Sequence, residues 1–494
     1  MAFRHVFAAT ENGALSLATC GSARTDLFFK LTRDVTKNPL FEQWLDAAWT
    51  ESPLDTMRII FQARDCRGGK GDRAPFLAAF ARIANTEPEW FLATAHLVPE
   101  YGRWLDLIEL LPMLRDVQHK AHIVKLLADQ LRTDEDNLKS GLSVSLLAKW
   151  MPSENSKWAK ATKLIPLVCH HLFPMSKCPE KHYRQCLTRL RTHIDITEQR
   201  MCADSWHTIP FSKVPSVAMM RLRDAFKKHA PAPFEEWIAA VALGKSKINA
   251  SQVYPHDLVR HYLAHEEDST SARDSVIEEQ WKAIVKQTAS LGLFNDSIVV
   301  SDVSSSMEGT PMQVSIALGI LIATLTKPPF DGLLITFSEE PTFFNLAPGL
   351  SLHESVEAVR NMKWGSNTNL QKVFLLILHR AKKLRIEAQA MPKRVYILSD
   401  MQFDMACNMK NTNYEKILAN YASSGYALPQ IVFWNLRSNT SVDMPVSHDT
   451  PGVALLSGYS PAILRSLMTG VEVTPWNIMR AAIDDARYAR IKCI

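Results

Sequence analysis

The sequence predicts an α + α/β chain. An all-helical domain over residues 1–290 precedes a Rossmann-like, doubly wound α/β domain over residues 291–494. Three observations predict this. Up to about Ser290, apolar residues recur at three- and four-residue intervals in one segment after another. Beyond Asn295, short β-branched apolar runs alternate with helical patterns. The chain has 494 residues, 47% hydrophobic and 22% charged, the mix of a globular protein with room for two sizeable cores.

In the first part, FEQWLDAAWT, APFLAAFARIAN, EWFLATAHLV, WLDLIELLPML and HIVKLLADQLRT each repeat at helical spacing. So do SLLAKWM, YRQCLTRLRTHIDI, VAMMRLRDAF and FEEWIAAVALG. Short connections carrying Pro, Gly or Asn favour a stack of helix pairs, an α-solenoid of HEAT-like type, although no strict repeat is present. In the second part SIVVSDVS, GLLITFS, RVYILSD, QIVFWNL and GVALLSGY read as strands buried on both faces. PMQVSIALGILIATL, NLQKVFLLILHRAKK and YEKILANYASSG read as the intervening helices, and PAILRSLM and TPWNIMRAAIDDARYARI follow. The boundary falls between the charged helix DSVIEEQWKAIVKQTASLG and Asn295.

Composition excludes several classes. With 18 Gly, 26 Pro and no low-complexity tract, the chain is not collagen-like, disordered or a coiled coil. Its longest apolar run, Ile316 to Leu325, is well short of the roughly 18 residues of a membrane span. The start, MAFRHVFAATENG, lacks the apolar stretch of a secretory signal, so the expected compartment is the cytoplasm, with the nucleus as alternative. Eight cysteines are too scattered for a disulfide scaffold. Cys169, His170, His171, Cys178, His182 and Cys186 are too irregularly spaced for a zinc site and read as free thiols and surface histidines.

The net charge of +5 is unevenly spread. Residues 151–250 hold 16 Lys and Arg against 8 Asp and Glu, while the rest of the chain is slightly acidic. A basic middle points to a polyanionic partner or to a set of solvated helix faces. RDCRGGKGDR offers Arg64, Arg67, Lys70 and Arg73 to phosphates, or else forms a tight turn whose charges pair with Asp65 and Asp72. It is not a nucleotide-binding P-loop, because no Ser or Thr follows its Lys. KWMPSENSKWAK interleaves Lys149, Trp150, Lys157, Trp158 and Lys160, a pattern that suits unstacked bases or a helical core. Lys213, Arg221, Arg223, Lys245 and Lys247 complete the basic set.

The strand SIVVSDVSSSMEG ends in Asp302, Ser304 and Ser306, an Asp-x-Ser-x-Ser loop at the carboxyl end of the first strand of a doubly wound sheet. One carboxylate and two hydroxyls suit a hard cation such as Mg²⁺. WGSNTNL adds Thr368, and VYILSDM adds Asp400 at another strand end. Taken singly, each is equally a helix cap. In type and order the five resemble the metal-ion-dependent adhesion site of von Willebrand factor A domains. That resemblance implies an open coordination position for a partner's carboxylate. No nucleophile–base pair accompanies the site, and His353 and His379 lie in helical patterns, so binding is expected and not catalysis.

Over nearly the whole chain the sequence resembles the domain-of-unknown-function 2828 family. The segments that carry this are SDVSSSMEGTPM, LITFSEEPTF, MKWGSNTNLQKVF, MPKRVYILSDMQFD, TENGALSLATCGSARTDLFF, RDCRGGKGDR, PEYGRWLDL, SKVPSVAM and KINASQVYPHDLVR. The order of parts also resembles the TROVE-module Ro proteins, with SVAMMRLRDAF and YPHDLVRHYL similar to helical segments of that module. This implies a helical ring closed by a von Willebrand factor A domain, binding noncoding RNA or a single-stranded RNA end. The expectation is a non-enzymatic RNA-binding protein of noncoding-RNA or ribonucleoprotein quality control. A metal-dependent protein-interaction scaffold without RNA is the alternative.

Overall fold

Helices fill the first part of the chain because its apolar stripes have caps to start them. Ser52 accepts from the Asp55 amide and Pro53 opens the helix Pro53–Arg64, while Asp116 caps the 23-residue helix Val117–Lys139. The computed structural model describes residues 7–9, 15–154, 156–264, 273–337, 340–360, 369–403, 413–439, 443–468 and 470–493. Helices run from Ala23–Lys30 to Ser275–Ala289. One element departs from the all-helical expectation: β1 (Phe7–Ala9) and β2 (Leu15–Leu17) form a short antiparallel pair. Three-residue strands are too short to show a period-two pattern.

The second part is a six-stranded sheet. Its strands are β3 (Ser297–Asp302), β4 (Leu333–Phe337), β5 (Phe343–Asn345), β6 (Arg394–Ser399), β7 (Gln430–Asn435) and β8 (Val453–Ser457). The order is β5-β4-β3-β6-β7-β8, parallel throughout except for the edge strand β5. From β3 the chain winds to β4 on one side, and from β6 to β7 and β8 on the other. Neighbours β3 and β6 therefore flank the point where the winding reverses, where open α/β sheets bind ligands.

Alternation along each strand divides two cores. Ile298, Val300, Ile397 and Phe433 face the helix Leu370–Leu384. Val299, Leu398, Trp434 and Leu456 face the helix Thr310–Leu325, and this core runs on without a break into Leu27, Phe61 and Leu127 of the helical part. Gly319 lets that helix approach β3, since a β-carbon there would overlap the Ser301 hydroxyl. A satellite cluster around Phe211, Phe226 and Phe234 lies apart from both.

The secondary structure changes near residue 290, but packing crosses that point. Ile478, Met479, Ile483, Tyr488 and Ile491, near the end of the chain, belong to the same core as Leu27 and Phe61. Charges bind the seam. Asp55 accepts from Arg24 (2.5 Å) and Arg480 (2.7 Å). Asp65 is fully buried and accepts two bonds of 2.8 Å from Arg487 and one of 3.0 Å from the Tyr488 hydroxyl. Tyr101 stacks on Tyr488 and donates to the Arg487 carbonyl. Lys70 is buried completely, and its ammonium donates to the Phe28 (2.5 Å) and Leu31 (2.9 Å) carbonyls and to Ser457 Oγ (2.7 Å). From the helix Ser275–Ala289, Glu278 accepts from the Leu352 and His353 amides and so caps the helix Leu352–Arg360.

Truncating one partner of a buried charge leaves the other without compensation. Arg487→Ala is therefore expected to cost about 2–3 kcal/mol in urea unfolding. The exposed pair of Arg490 with Glu100 is the control, and Arg490→Ala should cost under about 1 kcal/mol. Deleting residues 475–494 strips five core side chains and should abolish the cooperative transition.

Candidate functional site

Two buried carboxylates meet at the reversal point of the sheet. Asp302 is the last residue of β3 and has no solvent exposure, and Asp400 follows β6 directly at 5%. One Asp302 oxygen accepts from the Ser304 amide (2.9 Å) and the other from the Ser399 hydroxyl (2.6 Å). The Ser304 and Ser306 hydroxyls lie 3.0 Å apart on the loop that follows. Asp400 accepts from the Gln402 amide (3.2 Å).

Burial and mutual repulsion disfavour charge on both members of this pair. Burial, and then the neighbouring Asp400, push the Asp302 carboxyl up to about 7. Burial also raises Asp400, against the pull of the Ser306 hydroxyl and the Gln402 amide. Two carboxylates and two hydroxyls at one strand-end crevice form a hard oxygen donor set, which fits Mg²⁺ completed by water. Among the described residues no cluster of three or more His, Cys, Asp and Glu forms a metal site, so a metal here rests on the hydroxyls as much as on the acids.

Four of the five expected ligands come together: Asp302, Ser304, Ser306 and Asp400. Thr368 lies outside the described residues; Asn369, next to it, caps the helix Leu370–Leu384 through the Lys372 amide (3.0 Å). Two neighbours escaped the sequence reading. Ser399 orients Asp302, and its signal was present, since a Ser-Asp pair stands at the carboxyl end of both β3 and β6, Asp400 just past the latter. Arg437, in the loop after β7, donates to the Ser306 and Glu308 carbonyls and to Asn439 (2.8 Å), pinning the ligand loop. No local pattern marks it.

The basic residues scatter. Arg64 and Lys70 are withdrawn from any phosphate, which corrects the expectation that RDCRGGKGDR offers both of them to phosphates. Arg64 is buried against Asp106 at 2.7 Å, and Lys70 is sealed in the seam. The acids of that loop do pair, but with the distant cations Arg33 and Arg487. Arg67 and Arg73 are exposed, the first bonded to the Glu100 carbonyl and the second to Glu109. Lys149 pairs with Glu198, while Trp150 carries Arg103 on its face. Lys157 opens the helix Lys157–Thr162. Arg223 is 12% exposed and tied to Asp274, so it too faces inward. Lys213, Arg221, Lys245 and Lys247 are exposed and form no ion pair among the described residues. Of the thiols weighed for zinc, Cys169 and Cys186 lie in the core and Cys178 is exposed.

If the crevice holds Mg²⁺, Asp302 supplies half its charge. Asp302→Ala should lose most of the affinity in calorimetric titration. At about one hundred times Kd, Mg²⁺ should stabilise the wild type by about 2.7 kcal/mol and leave the variant unmoved. Asp302→Asn, which removes one of two adjoining carboxylates, should melt above the wild type in chelator.

The comparisons follow the same division. The model described as Domain of unknown function (DUF2828) matches residues 10–122 and 115–294, and Domain of unknown function (DUF7788) matches 296–487. The two meet where the last helix gives way to β3. The chain is 32% identical over 506 residues to "Uncharacterized protein L728" of Acanthamoeba polyphaga mimivirus, covering 96% of this chain and 87% of the viral protein. With matches over more than half its length and a relative aligned almost end to end, the chain belongs to the DUF2828 family.

Proposed function

We propose that this protein is a non-enzymatic, Ro-like RNA-binding protein. In this reading the helical part is a HEAT-like stack that presents a basic face to noncoding RNA. The sheet is a von Willebrand factor A-type domain with a metal-ion-dependent adhesion site for Mg²⁺. The observation that carries it is the set of four exposed cations, Lys213, Arg221, Lys245 and Lys247, within 35 residues of one another and without a salt bridge among the described residues. Exposed cations held by no salt bridge can release counterions from a polyanion. The seam that fastens the end of the chain onto the helical part suits the closed, ring-like arrangement of the TROVE-module proteins that the sequence resembles. The crevice at Asp302 and Asp400 favours the second reading, a scaffold that takes a partner's carboxylate at the metal.

Filter binding of a 20-nucleotide single-stranded RNA across a salt series tests the first reading. If about four phosphates are neutralised, the log–log slope should be near −3, and joint replacement of Lys213, Lys245 and Lys247 by Ala should flatten it by about 2. Few base contacts are expected, so binding to all single strands should weaken alike. No detectable RNA binding by the intact protein at low salt leaves the scaffold as the better account.

A further inference from the structure

An open cavity of about 280 Å³ lies between the helices Ser216–His229, Pro255–Leu263 and Ser275–Ala289. Three guanidinium groups line it, those of Arg221, Arg223 and Arg260, together with His261 and a single acid, Asp257. Arg223 is the fixed member. Its Nε donates to Asp274 (3.0 Å), Nη1 to the Met220 carbonyl (2.5 Å), and Nη2 lies 3.1 Å from His261 Nδ1. The other two are held less tightly. Arg221 is exposed and makes no ion pair among the described residues, and Arg260 spends one N–H on Asp257 at 2.7 Å.

Among the described residues the nearby acids are already engaged. Asp274 accepts from the Val276 and Ile277 amides as the cap of its helix, and from Lys227 (2.9 Å) as well as Arg223. Asp257 holds Arg260, and Asp224 lies 3.8 Å from Arg223. Among the described residues, Arg221, Arg223, Lys227 and Arg260 thus stand against Asp224, Asp257 and Asp274, and Arg221 and Arg260 both line the cavity with donors to spare. Guanidinium forks match the paired oxygens of a phosphoryl group. Among the described residues no Phe, Tyr or Trp lines the wall, so nothing there would stack a base. The volume is at the lower edge of small-ligand sites, enough for a phosphate and its sugar.

We propose that this cavity is a phosphate-binding site, taking the phosphoryl group of a mononucleotide or of a nucleic-acid end. It is separate from the Asp302 crevice and depends on the RNA-binding reading only for the second source. The test is calorimetry on the full-length protein with inorganic phosphate, adenosine monophosphate, acetate, and a short RNA with and without a 5′-phosphate. Phosphate and the nucleotide should bind where acetate does not, and Arg221→Ala with Arg260→Ala should weaken both about tenfold or more. Both side chains are exposed, so the double variant should keep the wild-type melting temperature, and the exposed Lys383→Ala, far along the chain from the cavity, should bind the nucleotide as wild type does. Equal affinity in wild type and double variant, or equal binding of acetate, overturns the proposal. RNA binding without any phosphate or nucleotide binding also overturns it while leaving the RNA reading intact. Nucleotide binding without RNA binding upholds the site and removes the RNA reading. A preference for the 5′-phosphorylated RNA that is lost in the double variant identifies the nucleic-acid end as the source.

Discussion

A buried ammonium must find acceptors inside the protein, and Lys70 finds them in two places that are far apart in sequence. The Phe28 and Leu31 carbonyls close the helix Ala23–Lys30, and Ser457 closes β8. Burial lowers the Lys70 amine to about 7, with Asp72 opposing, so the contact stands only while both ends are correctly placed. Neighbouring bonds share this alignment. Asn435 donates to the Phe29 carbonyl, Asn38 donates to the Ser438 carbonyl, and the Ser438 amide donates to Asp34. The loop they hold carries Arg437, which in turn holds the Ser306 loop. The candidate metal ligands are thus braced from the helical part of the chain.

That bracing bears on the site. Asp302 and Asp400 are held close together out of water by strand ends that cannot part without breaking the β3–β6 ladder. With both members ionised such a pair is costly, and burial lifts both carboxyls above their usual range. Stability spent on the crevice is recovered in the surrounding core, where strands buried on both faces pack against two layers of helices.

Much of the fold was legible because it rests on periodicity. The five long strands and the helices around them were visible as β-branched runs and amphipathic repeats, and Asp302, Ser304, Ser306 and Asp400 followed from strand-end positions. The N-terminal β-pair was missed for its brevity. The fate of Arg64 and Lys70 was illegible for a different reason. A charge is buried or exposed according to what the rest of the chain brings to it, and their partners Asp106 and Ser457 lie 42 and 387 residues away. Arg223 and Arg221, two residues apart in one helix, differ in the same way, one paired inward and one exposed with no salt bridge among the described residues.

The clasp between the ends has a consequence for synthesis. Asp65 and Arg487 are separated by 422 residues, and Asp55 and Arg480 by 425. Phe28, Phe61 and Tyr101 leave the ribosome early, but the surface that covers them arrives last. At about 5–20 residues per second, that interval is about 20 to 85 seconds. Throughout it the nascent helical part displays an apolar seam and uncompensated aspartates. Newly made chains should therefore need a holding chaperone until residues 478–491 have emerged, and a ribosome stalled before them would leave an aggregation-prone product.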